Sequence, residues 1–245
     1  MSALLEVSGL RKSYGERLVL DDVSLAVEPH DVICLIGSSG SGKSTLLRCL
    51  NLLEEIDDGV ITFDGRDISD PRVDAREVRS RIGMVFQAYN LFPHLSVLDN
   101  CTLAPRKVHG VRRADAEAKA LEMLDKFGLA EHAAKHPDRL SGGQQQRAAL
   151  VRALCTSPTL LLLDEITAAL DPELVGEVLS IVRAEAEAGM TMVIATHEMA
   201  FARDVATSVC FLDQGRILEQ GPPADIFSEP REERTREFLR RVLPG

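Results

Sequence analysis

Residues Gly37, Ser38, Ser39, Gly40, Ser41, Gly42, Lys43 and Ser44, followed by Thr45, fit the pattern G-x-x-x-x-G-K-[ST]. Glycines in such a run let consecutive backbone N–H groups converge on phosphate oxygens. A helix N-terminus behind them adds positive potential. The Lys43 ammonium can reach a β- or γ-phosphate, and the Ser44 hydroxyl can ligate Mg²⁺. A second group follows the apolar run 160–163, where Asp164 and Glu165 stand side by side. Asp164 can hold Mg²⁺ directly or through water, and Glu165 can take a proton from an attacking water as a general base. A glycine turn and a solvated acidic turn are the plain alternatives. Each is weakened by the other motif's presence and by the elements on either side.

Those elements follow from the apolar spacing. Val32 to Ile36 is continuously apolar, as in a strand buried on both faces, and runs straight into the glycine-rich turn. Helical spacing over 44–53 follows that turn. Asp57, Asp58 and Gly59 make a turn before a strand at 60–63. The first thirty residues alternate apolar and polar, which predicts short antiparallel strands with a turn at Tyr14-Gly15-Glu16. Further helices are predicted at 114–127, with Gly128 as its C-cap, and at 144–154, 172–188 and 232–243. Core strands are predicted at 160–163 and 191–195, and a hairpin at 209–219 turns at Gln214-Gly215. Strands followed by helices imply an α/β protein with a mainly parallel sheet and an antiparallel edge. A mostly helical insert spans about 90–155. No linker separates it, so the expectation is one domain, 1–245, with a nucleotide-binding core at 1–89 and 156–245 and a helical subdomain at 90–155.

Composition narrows the classes. The chain has 245 residues, 45% hydrophobic and 27% charged, with a net charge of −10. Such an acidic chain is a poor general binder of nucleic acid or anionic lipid. No apolar run reaches the ~18 residues a bilayer span needs, and the opening residues lack the basic lead-in of a signal peptide. A cytosolic protein is expected. Five scattered cysteines, with no C-x-x-C pair, read as reduced packing residues.

A third motif fixes the family resemblance. Leu140-Ser141-Gly142-Gly143-Gln144-Gln145-Gln146 opens a predicted helix shortly before the carboxylate strand. It resembles the signature sequence of ATP-binding-cassette (ABC) ATPases, and the order and spacing of the three motifs extend the resemblance over nearly the whole chain. The fold implied is a P-loop NTPase with a RecA-like core of ABC ATPase type, plus an antiparallel β subdomain and the helical subdomain. The cofactors implied are ATP and Mg²⁺. Ser141, Gly142, Gly143 and Gln144 form a second anion site at a helix start. One chain cannot easily bring both sites onto one γ-phosphate. The resemblance implies a two-fold homodimer in which each signature closes over the partner's nucleotide.

Further roles come from the resemblance alone. Tyr14 resembles the aromatic that stacks on adenine. Gln87 resembles the Q-loop glutamine that senses Mg²⁺ and the attacking water. His197 resembles the switch histidine that contacts γ-phosphate and holds the general base. Asp171 resembles the D-loop aspartate that crosses the dimer interface, and as the residue before Pro172 it also fits a helix N-cap. Lys43, Glu165, Gln87 and His197 are thus the catalytic set, and Ser44, Asp164 and Gln87 the metal set. Ile166 and Ala168 depart from the family's usual proline and serine.

Stretches around Thr196-His197-Glu198-Met199, Asp213-Gln214-Gly215-Arg216, Gln220-Gly221-Pro222-Pro223 and Gln87 to His94 look like the polar amino acid uptake branch. The implied role is the ATPase subunit of an importer at the cytoplasmic face of the cell membrane. It works with a separate permease and, indirectly, a solute-binding protein, without nucleic acid. Leu91 and Phe92 are expected to be partly exposed, where a permease helix docks. A subunit for another solute, or an ABC ATPase acting on DNA or ribosomes, remains the alternative. The single cassette, the acidic balance and the lack of a heptad arm speak against the latter.

Overall fold

The structure is a computed structural model that describes residues 3–243. Strands β1 (Leu5–Tyr14) and β2 (Arg17–Val27) form an antiparallel pair of ten and eleven residues. They are longer than the short strands their broken alternation suggests. Register shifts near Gly9 and Leu10 absorb the breaks, with Gly9 and Asp22 in left-handed conformation.

Strand β3 (Val32–Ile36) leads through the glycine turn into helix α1 (Lys43–Leu50). The helix stops short of the expected residue 53, because Leu52 takes a left-handed φ of 52° and turns the chain out. Strands β4 (Asp58–Phe63) and β5 (Arg66–Asp67), helix α2 (Ala75–Arg81) and strand β6 (Ile82–Val85) follow. Helices α3 (Val97–Lys107), α4 (Arg113–Lys126) and α5 (Gly142–Leu154) make up the helical stretch. Next come β7 (Leu160–Asp164), α6 (Pro172–Glu187), β8 (Met192–Ala195) and α7 (Met199–Val205). The hairpin β9 (Ser208–Asp213) and β10 (Arg216–Gly221) precedes α8 (Pro223–Ser228) and α9 (Glu233–Val242).

Two sheets result. One is antiparallel, ordered β2-β1-β4-β5, and the other is ordered β10-β9-β3-β8-β7-β6. In the second, β9, β3, β8, β7 and β6 run parallel, and only β10 is antiparallel to its neighbour. This is the α/β class expected.

The parallel sheet is a wall between two hydrophobic cores. Side chains alternate across a strand, so Val32, Cys34 and Ile36 enter one core while Ile33 and Leu35 enter the other. Leu161 and Leu163 likewise part from Leu160 and Leu162. One core lies under α1 and the antiparallel sheet, the other under α3 to α9. Both faces being covered, the strands must be apolar throughout, which is why they read as unbroken runs. All five cysteines are buried in these cores. Among the described residues, no helix is long and apolar enough to cross a membrane.

Leu162 is fully buried at the centre of β7. Leu162→Ala is expected to cost about 2–5 kcal/mol of stability, read as a lowered urea midpoint with an unchanged m-value.

Candidate functional site

The parallel strands all point their C-terminal ends at one edge, where ligands bind in such sheets. There β3 ends in the loop 37–42. Gly37 has φ 150°, and a Cβ on it would lie 2.1 Å from the Leu212 carbonyl oxygen. Gly42 has φ 111°, with a would-be Cβ 2.7 Å from Leu20 Cδ2. Only glycine lets the loop press this closely against β2 and β9.

Lys43, only 3% exposed, folds back over the loop. Its Nζ donates to the carbonyl oxygens of Gly37 (3.0 Å) and Ser38 (3.2 Å) and lies 3.5 Å from Glu165 Oε1. Burial pulls its pKa below the ordinary lysine value, and the Glu165 carboxylate opposes that shift. Ser44 Oγ donates to Asp164 Oδ1 at 2.6 Å. Burial raises the Asp164 pKa, against the Ser44 hydrogen bond that lowers it.

Glu165 follows β7 in a left-handed conformation, φ 46°. A non-glycine residue held there stores strain of about 1–3 kcal/mol. The conformation sends its side chain toward Lys43 and toward His197, whose Nε2 lies 2.9 Å from Oε1. Since an ionised carboxylate only accepts, Nε2 carries the proton and donates.

A cavity of about 410 Å³ opens in front of these groups. Its walls are Tyr14, Arg17 and Val19 on one side, and Gly40, Gly42, Lys43, Ser44, Thr45 and Glu165 on the other. Tyr14 is 44% exposed at the end of β1, and Arg17 is its registered partner across the turn. The arrangement offers a planar ring at one end, a buried ammonium and helix start in the middle, and a carboxylate pair beside them. That suits a nucleotide with its phosphates on the loop.

A model of the ABC transporter family matches residues 20–168. The chain belongs to that family. The glutamine transport ATP-binding protein GlnQ of Geobacillus stearothermophilus is 49% identical, covering 96% of this chain and 97% of its own length. The glutamate/aspartate import ATP-binding protein GltL of Escherichia coli (strain K12) is 47% identical, covering 98% of this chain and 100% of its own length. Among solved structures, a dimeric post-hydrolysis state of the ATP-binding cassette MJ0796 bound to ADP and Pi matches with a TM-score of 0.80 and 31% identity. It covers 89% of this chain and 98% of that one. The cassette fold is therefore a nucleotide-binding one, and relatives of this architecture dimerise.

Other residues singled out in the sequence lie apart from the cavity. Gln87 is exposed in the bend after β6, without a side-chain partner among the described residues. Ser141 caps α5: its Oγ accepts from Gln144 N–H (3.3 Å), and Gln144 Oε1 accepts from Ser141 N–H (3.0 Å). This reciprocal cap starts the helix at Gly142, two residues before the predicted 144. Gly143 is buried against Leu174, and Gln144 also meets His132. Asp171 precedes α6 but makes no capping hydrogen bond. Ile166 packs in the core, while Ala168 is exposed. Phe92 is 43% exposed and Leu91 half-buried.

Sequence reasoning missed Arg17 and Val19, whose place follows from hairpin register and carries no motif. It also missed the link between Thr167 Oγ1 and Glu198 Oε1 (3.3 Å), which ties the turn after β7 to the loop after β8.

Two outcomes follow. Gly37→Ala has no room and is expected to unfold the loop or the chain, whereas Gly40→Ala, with open space around it but φ 77°, carries only the backbone strain of a left-handed residue, about 1–2 kcal/mol; thermal denaturation separates them. For Asp164, the folded pKa is raised. The ligand-free protein therefore holds more protons there than the unfolded chain, and this carboxylate loses stability as pH rises above the ordinary value of about 4. Asp164→Asn, neutral and similar in shape, is expected to raise the melting temperature of the ligand-free protein near pH 7.

Proposed function

We propose that this cassette is the ATP-hydrolysing subunit of an importer for a polar amino acid, acting through a separate permease at the cytoplasmic face of the membrane. The observation that carries the hydrolytic part is Glu165 on the cavity wall, within 3.5 Å of Lys43 Nζ and 2.9 Å of His197 Nε2. The solute class is supported by relatives named for glutamine and for glutamate/aspartate, which match this chain almost equally well. Equal likeness to both favours the class and no single member of it.

In this reading the adenine stacks on Tyr14 and the phosphates lie along Gly37, Ser38, Ser39, Gly40, Ser41 and Gly42, with Thr45 behind them. Ser41 Oγ, buried without a partner, is one donor still free for a phosphate oxygen. Arg17 faces the same cavity and adds positive charge. Lys43 holds the β- and γ-phosphate oxygens. Ser44 and Asp164 fit Mg²⁺: both present hard oxygens, 2.6 Å apart, and one or two protein ligands are what this ion takes beside phosphates. Bound there, Mg²⁺ neutralises charge on the phosphates.

Glu165 accepts a proton from the water that attacks the γ-phosphorus, the bond from that phosphorus to the β–γ bridging oxygen breaks, and ADP and inorganic phosphate leave. His197 keeps Glu165 aimed and contacts the γ-phosphate. Gln87 and Asp171 act from outside the cavity, Gln87 at the metal and water and Asp171 across the dimer. Ser141, Gly142, Gly143 and Gln144 complete the site from a second copy, and closure of the pair moves the permease. Loading of the permease by a solute-binding protein, and permease contact near Leu91 and Phe92, belong to the same proposal.

Lys43→Ala is expected to reduce phosphate release to background and weaken ATP binding by at least about tenfold. Glu165→Gln is expected to lower turnover by about 10²–10⁴ while trapping an ATP-bound dimer on size-exclusion chromatography. A Glu165→Gln variant that stays monomeric with ATP would remove the shared site.

A further inference from the structure

Tyr89 lies two residues past Gln87 and has no part in the cavity. It touches both segments that, in the function proposed above, reach toward a partner's nucleotide. Its Oη donates to the Ala169 carbonyl oxygen at 3.3 Å, in the turn between Glu165 and Asp171. The same oxygen lies 2.8 Å from where a Cβ on Gly142 would stand, with Cζ at 3.7 Å and Leu170 Cδ2 at 3.8 Å. The start of α5, the phenol and Leu170 therefore meet at one point, and a side chain at 142 would push the phenol aside.

The main chain on the other side of Tyr89 is also held. The Arg152 guanidinium, from the last turn of α5, donates to the carbonyl oxygens of Asn90 (2.5 Å) and Tyr89 (3.4 Å). Asn90 itself is left-handed, φ 52°. The segment after Gln87 is thus fastened to both ends of α5 and, through the phenol, to the 166–170 turn. That turn has a second strap in the Thr167 to Glu198 hydrogen bond, next to His197.

We infer that Tyr89 is a positioning residue: its ring sets the spacing between the signature start at Ser141–Gly142 and the Ala169–Asp171 turn, so that both meet the partner copy in register. This rests on the shared-site reading. A hydrogen bond of 3.3 Å adds little by itself. The ring, which lies with Leu170 against Gly142, carries the larger share. Because none of these contacts borders the cavity, losing them leaves nucleotide binding within one copy intact.

The test uses the full chain in a Glu165→Gln background, with Tyr89→Ala and Tyr89→Phe added singly. ATP-dependent dimerisation is followed by analytical ultracentrifugation, and ADP affinity of the monomer by calorimetry. Tyr89→Ala is expected to weaken the ATP-bound dimer by about tenfold or more, Tyr89→Phe by no more than about threefold, and ADP affinity to stay within about twofold for both. Tyr89→Ala dimerising like its parent would overturn the role. So would a parallel loss of ADP affinity, which marks a general loosening of the fold. Failure of Glu165→Gln alone to dimerise is a separate result: it removes the shared site, and this role with it.

Discussion

Lys43 brings a positive charge to a place only 3% exposed, and a lone ammonium there costs several kcal/mol. The fold offsets this with two carbonyl oxygens of the glycine loop and the Glu165 carboxylate. Each partner needs its own support. The carbonyls point inward only because Gly37 and Gly42 take conformations that a side chain would block. Glu165 arrives only because β7 ends beside β8 and the chain turns left-handed at that residue. These three acceptors together balance the buried ammonium, and losing any one of them leaves it under-satisfied.

The two-core sheet makes that balance possible. With apolar side chains locked on both faces, β3, β7 and β8 cannot slide without exposing core on one side or the other. Their C-terminal ends therefore keep Ser44 within hydrogen-bond reach of Asp164, 120 residues away in sequence, and Glu165 within reach of His197, a further 32 residues on. The same rigidity lets Asp164 stay in an environment that opposes its ionisation. A carboxylate there is a cost in stability.

Legibility in the sequence tracked how local the cause was. The continuous runs at β3, β7 and β8 and the glycine turn announced themselves, because two-sided burial and phosphate contact dictate residue type directly. Helices α2 and α3 were not legible. α2 is short and mostly polar, and α3 contains Pro105, which argues against a helix until the Ser96 cap and the contact with α5 are seen. Arg17 reaches the cavity through pairing with Tyr14, and Tyr89 reaches Gly142 through tertiary packing. Neither relation leaves a pattern along the chain. The early end of α1 turned on one left-handed residue, Leu52, whose type gives no hint of it.

The reciprocal cap at Ser141 bears on why a second copy is needed. The Ser141 hydroxyl and the Gln144 amide satisfy two backbone donors of the α5 start, and among the described residues the N–H groups of Gly142 and Gly143 find no acceptor. A helix start with free donors and a glycine surface is suited to an anion, yet the cavity that suits a triphosphate is lined by none of these residues. Within one chain the two anion-seeking surfaces belong to different parts of the fold: the end of β3, and the start of a helix whose far end is buried against the segment after Gln87. In the two-fold pair proposed above, the start of α5 in one copy would meet the phosphates held by the other, and each surface would supply what the other lacks.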